Sequence, residues 1–307
     1  MIDKCPKMRY NDNMMNNTKT YDFLDGAGPV PAHQHSNGGG WVADSARVAA
    51  SAYIGPKAKV SGTAWVLHNA RVFGNASVFD NARVWGTAQV WGTAQVSGTA
   101  RIDDNARVFG NARVYDTALV FDNAKVYNDA KVWGNSSVYG NTRLYGDAQV
   151  SDDARVFGEA VVYGAAKVFG NASVCDTAKV SGAAKVFGNA EVYDNARVYG
   201  NAQVCGNAKV YNDAKVCGKA VVYDAAWIFG NAQVFGRSKV YDTAWVFDNA
   251  KVYGTMPCGY GTGPKYIAEI YDNARIYGNA QVCGNAKVHG NAKVYYGMVC
   301  PPAGFAR

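Results

Sequence analysis

The chain of 307 residues is poor in the residues that most globular cores rely on. Leucine is scarce, at Leu24, Leu67, Leu119 and Leu144, so other types carry the hydrophobic share of 49%. There are 8 prolines and 4 histidines against 34 glycines. No run of about twenty apolar residues exists, so the sequence offers no transmembrane helix and no membrane insertion is expected. The first residues, MIDKCPKMRYNDNMMNN, contain no apolar stretch. No signal peptide is therefore expected, and a cytoplasmic or virion-associated location follows. The cysteines, at 5, 175, 205, 217, 258, 283 and 300, include no C-x-x-C pair. Their scatter points to neither a zinc site nor a disulfide framework, and a reducing compartment is the default. A net charge of +7 permits an acidic partner without requiring one.

What the chain does have is one short unit, V-x-G-N-A-x. Aliphatic residues fall at 42, 48, 54 and every sixth position through 252, with Ile54, Ile102, Leu144 and Ile228 in place of valine at four of them. The pattern breaks over 254–269, GTMPCGYGTGPKYIAE, and resumes at Ile270, Ile276, Val282, Val288 and Val294. Because 252 and 270 are three units apart, the break reads as replacing two repeat sites, Cys258 and Pro264, while keeping the phase.

A fixed period of this size marks a repeat architecture. On a strand such as Ala-Arg-Val-Tyr, alternate residues face opposite sides, so Ala and Val point in while Arg and Tyr point out. The intervening Gly-Asn, Gly-Thr and Asp-Asn pairs tolerate left-handed backbone angles and make corners. Three hexapeptides then close a triangular coil of 18 residues. A helix does not fit, since six is not a multiple of 3.6 and glycine recurs in most units. The organisation expected is an N-terminal extension or cap over 1–40, a repeat domain over 41–297 with an irregular coil at 254–269, and a tail over 298–307. Stacked about 4.8 Å apart, about 14 coils give a rod roughly 65–70 Å long.

The period resembles that of the left-handed β-helix hexapeptide-repeat superfamily, which includes acyltransferases and γ-class carbonic anhydrases. The stretch IGPKAKV at 54–60 matches the superfamily signature directly. Elsewhere an aromatic takes the usual glycine place, and the chain is similar to long G-N-A-x-V arrays of bacterial and phage genomes. The resemblance implies an all-β fold, a single left-handed parallel β-helix, for residues 41 to 297. It does not imply one function.

Large rings follow the aliphatic residue at about two thirds of the repeat sites, and they must point outward. Sorting by 18 sets Phe73, Trp91, Phe109, Tyr127, Tyr145, Tyr163, Tyr199, Phe235, Tyr253 and Tyr271 on one face. Beside them lie Arg71, Arg107, Lys125, Arg143, Lys179, Arg197, Lys215, Lys251 and Lys287. Such columns stabilise the solenoid itself by stacking, form contact surfaces for neighbouring molecules, or hold an extended glycan or polyanion. The acidic corners, among them Asp80, Asp116 and Asp122, dilute the positive field.

Chemistry has few carriers. The resemblance implies a catalytic histidine beside a protruding loop in acyltransferases, and three metal-bound histidines in the carbonic anhydrases. Here His33 and His35 precede the first coil, His68 lies at an early corner and His289 is near the end. One chain cannot bring them together. His289 and Cys258 are the catalytic candidates, because the break with Cys258, Tyr260 and Lys265 is the one interruption of the repeat. His33 and His35, spaced H-Q-H, are the metal candidates; no cofactor is expected. The leading expectation is a non-enzymatic structural or assembly rod that associates with itself. The alternatives are an acyltransferase-like enzyme with an inter-subunit site and an adhesive rod for glycans or polyanions.

Overall fold

The computed structural model describes residues 19–26, 28–254 and 267–300. Among the described residues every regular element is a strand. From Trp41 onward each hexapeptide makes a strand of two or three residues and a corner. The corner forms because its first residue adopts positive φ, as in Gly110 (70°), Asp116 (58°) and Asn128 (59°). Glycine, asparagine and aspartate occupy that conformation at low cost. Strand Arg83–Val84 pairs in parallel with Arg101–Ile102, so one coil is 18 residues. The chain is thus a parallel β-solenoid of about 14 coils, with three sheets of 16, 14 and 14 strands. The first face runs through Val42 and Val60, the second through Val48 and Val66, and the third through Ile54 and Val72.

Between the faces lies a prism too narrow for more than one branched aliphatic and one alanine per hexapeptide. Val60 to Val282 and their alanines are fully buried. Ser136, Thr142 and Ser238 replace alanine, also fully buried. Each hydroxyl donates to the carbonyl three residues earlier, at Trp133 (2.8 Å), Tyr139 (3.1 Å) and Phe235 (2.9 Å). Left unpaired, such a group costs about 1–3 kcal/mol; a short side chain reaching its own corner avoids that.

Each coil is bonded to the next at the strand and at the corner. Arg107, Phe109 and Asn111 donate their backbone N–H to the carbonyls of Ala124, Val126 and Asn128 at 2.9, 3.0 and 2.8 Å. The N–H of the positive-φ residue points the other way, to the preceding coil. A glycine there offers it nothing, but an aspartate does. Gly140 donates to Asp122 Oδ2 at 3.0 Å, Gly170 to Asp152 at 2.9 Å and Asn212 to Asp194 at 3.0 Å. The acidic corners therefore act as backbone acceptors as well as surface charges. The next corner position adds amide ladders, such as Asn171 to Asn189 (3.1 Å) to Asn207 (3.0 Å).

The break corrects the sorting by 18. Val240 pairs with Ile270, Val246 with Ile276 and Val252 with Val282, each thirty residues apart. The break leaves the strands before and after it directly paired, with no rung between them. It adds twelve residues between consecutive strands, and residues 255–266 lie outside the described part. Twelve is two units, so the phase survives while every later residue moves to another face. Tyr271 and Lys287 belong to the first face, not the third.

The two ends are built differently. Strands β1 (Thr20–Asp22) and β2 (Pro29–Gln34) pair antiparallel, and β2 pairs antiparallel with β3 (Trp41–Ala43), covering the first face at its start. At the other end Met298–Val299 pairs with Gln281–Val282, seventeen residues apart. The last coil is one residue short, so Val299 takes the inward site that strict phase gives to residue 300. Cys300 then falls beside Cys283 and the two form a disulfide, with Cα atoms 4.9 Å apart. Cys283 is fully buried. This overturns the expectation of no disulfide.

Asp122→Ala removes the acceptor for Gly140 and strains an alanine at positive φ. It should cost about 1–2 kcal/mol in denaturant unfolding. Asp122→Asn should be close to neutral, as Asn212 fills the same role toward Gly230 at 3.3 Å.

Candidate functional site

The outward rings stand in columns one coil apart, and the columns close on themselves. On the third face Phe73, Trp91, Phe109, Tyr127, Tyr145 and Tyr163 stack with centroids 5.5, 4.3, 4.8, 5.1 and 5.1 Å apart and planes within 14°. On the second, Tyr193, Tyr211, Phe229, Phe247 and Tyr277 stack at 4.9, 5.0, 4.8 and 5.0 Å, and Tyr295 follows at 6.0 Å. These separations are those of offset aromatic pairs, and the coil rise imposes them. Most of these rings are half-buried as a result. Among the described residues the exposed large hydrophobic ones are Leu24, Tyr199, Tyr295, Tyr296 and Met298.

Cations join some columns. Arg47 and Arg83 lie 4.9 and 4.8 Å from Trp65, one coil to either side of it. Arg71 lies over Tyr53 and Phe73, and Arg275 lies 4.5 Å over Trp245. Such contacts contribute about 0.5–1 kcal/mol at exposed sites. The rest of the predicted basic column behaves differently. Arg107, Lys125 and Arg143 occupy successive rungs, as do Lys179, Arg197 and Lys215. Among the described residues none of these six forms an ion pair or caps a ring. Like charges directly opposite each other on neighbouring strands repel, which makes both stripes receptive to anions.

The histidines are placed far apart. His33 Nδ1 meets Asp44 Oδ1 at 2.8 Å, whereas His35 is buried and its Nδ1 turns to the Asn37 backbone. His33 lies in β2 and His35 just past its end, and they do not share a partner. Among the described residues no group of three His, Cys, Asp or Glu side chains is arranged to hold a metal. His68 is an exposed corner residue at φ 55°. His289 stacks on Tyr271 at 5.0 Å, completing the first-face column of Tyr223, Tyr241 and Tyr271. Its Nδ1 is 4.0 Å from Asp272. The other catalytic candidate, Cys258, lies outside the described residues.

Several rungs carry no ring. Asp103 stands between Trp85 and Phe121, bonded to Arg101 at 3.2 Å, and burial pushes its carboxyl up. Cys175 fills another; burial first, then Asp176, pushes its thiol up to about 12. Ser181 and Cys217 flank Tyr199, whose phenol is raised by its hydrogen bond with Cys217 and then by burial. Sorting by 18 could have flagged Tyr199, with Phe79 and Trp85, as rings without ring neighbours in their columns.

Burial is also the largest cause pushing the phenols of Tyr193 and Tyr223 up to about 12, with Tyr211 and Tyr241, their stacked neighbours, the next cause. Their neutral forms are favoured in the folded chain. The stability they contribute is complete below the ordinary tyrosine pKa, about 10, and is lost as pH rises from there through about 12. Absorbance at 295 nm should show tyrosines that ionise later than free tyrosine, and the chemical denaturation midpoint should fall over the same interval.

A family model described as the YdcK beta solenoid repeat matches residues 148–164, 190–206 and 268–284. Each stretch is about one coil. Two open on the first face, before Gln149 and Glu269, and one on the second, before Glu191. The repeat is thus not tied to one face. No curated protein matches the chain. Over these three coils the protein is similar to the YdcK beta-solenoid repeat.

Proposed function

We propose that the protein is a non-enzymatic structural element, a rigid rod that associates with further copies of itself through its C-terminal end. The observation that carries this is the contrast between the two ends. At the start, β2 covers the first face, and Ile54 is bonded on the third to the backbone of Asn37 and Gly40. At the finish the three sheets stop on Lys287–Val288, Lys293–Val294 and Met298–Val299, with no further strand among the described residues. Beside them Tyr295, Tyr296 and Met298 are 56%, 67% and 56% exposed. Open sheet edges beside apolar side chains recruit other strands. Along the shaft the rings cover one another, so the shaft supports stiffness more than contact. The left-handed sense of the coil and kinship with phage-encoded arrays belong to this proposal, and the resemblance to hexapeptide-repeat and G-N-A-x-V arrays is what supports both.

Light scattering at micromolar concentration should show a dimer or larger assembly. Tyr296→Lys combined with Met298→Lys should convert it to monomer with unchanged far-ultraviolet circular dichroism. A monomeric wild type would refute self-association, and an assembled double variant would refute the C-terminal end as its site.

A further inference from the structure

The third-face column is interrupted in mid-shaft. Tyr163 stacks on Tyr145 at 5.1 Å on one side, but the next rung holds Ser181, and the ring after that is Tyr199. Tyr199 is 39% exposed, the one ring along the shaft among the exposed hydrophobic residues of the described part. Tyr163 and Tyr199 are two coil steps apart, about 9.6 Å. A flat guest between them lies about 4.8 Å from each, within the 4.3–5.5 Å range that the same column's own rings keep. The opening is a cavity of about 320 Å³ lined by Tyr163, Lys179, Ser181, Arg197, Tyr199 and Lys215. That volume suits one or two fused rings with a small substituent.

Charge selects the guest further. Every charged residue in the lining is basic. The corners along the adjoining edge are Gly164, Gly182, Gly200 and Gly218, so no aspartate stands there. On the opposite edge Asp176 and Asp194 are each engaged by a backbone N–H of the following coil. Other vacant rungs lack this combination. Asp103 fills its own with a carboxylate, and the thiol of Cys175 faces Asp176 and Glu191. The rungs at Ser97 and Ser151 also stand between two rings, Phe79 with Tyr115 and Trp133 with Phe169, but aspartates occupy the corners beside them, Asp80 and Asp116 for the first and Asp152 for the second.

We propose that the vacant rung at Ser181 is a binding site for a planar aromatic anion. The ring inserts between Tyr163 and Tyr199 as the missing member of the column, and its phosphate or carboxylate sits against Lys179, Arg197 and Lys215. The site lies in mid-shaft and does not depend on how the ends associate.

The test is calorimetric titration of the full chain with adenosine 5′-monophosphate and, separately, with 2-naphthoate, which distinguishes a nucleotide from an aromatic carboxylate as the source of the anion. At least one should bind, and adenosine and inorganic phosphate should each bind at least tenfold more weakly. Ser181→Tyr supplies the missing ring and should abolish binding. Its thermal midpoint should stay level or rise, because Tyr145 and Tyr163 occupy equivalent rungs. Arg197→Gln should weaken binding at least tenfold. Failure of both aromatic anions to bind at millimolar concentration would overturn the proposal. So would phosphate binding as tightly as the nucleotide, or wild-type affinity in a folded Ser181→Tyr.

Discussion

Each coil hands its backbone N–H groups to the carbonyls of the coil that follows, at the strands and again at the corners. That contact fixes the rise of the solenoid, and the rise fixes nearly everything outside it. Residues 18 apart are held one strand spacing from each other whatever their chemistry. Rings then stack because the spacing is close to what offset rings prefer. Corner amides bond in files, and an aspartate at a positive-φ corner finds one orphaned N–H in the next coil. The interior follows the same constraint: a prism closed at every corner admits valine and alanine and little more.

The period of six was enough to expose the fold, because an inward aliphatic, an inward small residue and a corner pair are all that a hexapeptide of this kind must supply. It left three things hidden. An insertion of twelve residues keeps the phase of six, so nothing in the spacing separates added residues from replaced ones; Tyr271 and Lys287 were sorted to the wrong face for that reason. The pairing of Cys283 with Cys300 depends on a last coil one residue short, and strict counting placed residue 300 inside. The role of Asp122 or Asp194 at a corner is set by the residue one coil later, not by its sequence neighbours. The basic and aromatic columns were legible, but only the structure separates cations that cap rings, such as Arg71, from those left facing water, such as Lys179 and Arg197.

The outward rings do not break the rule that apolar surface is hidden. A ring in mid-column has its faces covered by the rings above and below and shows mainly its edge. Exposure therefore concentrates where a column stops, at Tyr295 and Tyr296, or where it is interrupted, at Tyr199. His289 ends the first-face column as a stacking ring, a role that accounts for its position without invoking catalysis.

The near equivalence of the three hexapeptides in a coil also bears on how such a chain changes length over generations. Recombination between neighbouring copies can drop or add a whole coil, and every column is rejoined to itself. Losing a single hexapeptide leaves the interior almost indifferent, since valine follows valine. Outside, however, each file downstream is spliced onto a different face, and stacks are joined to stretches of unrelated side chains. The core thus sets a permissive six-residue step for change, while the exterior files favour steps of eighteen.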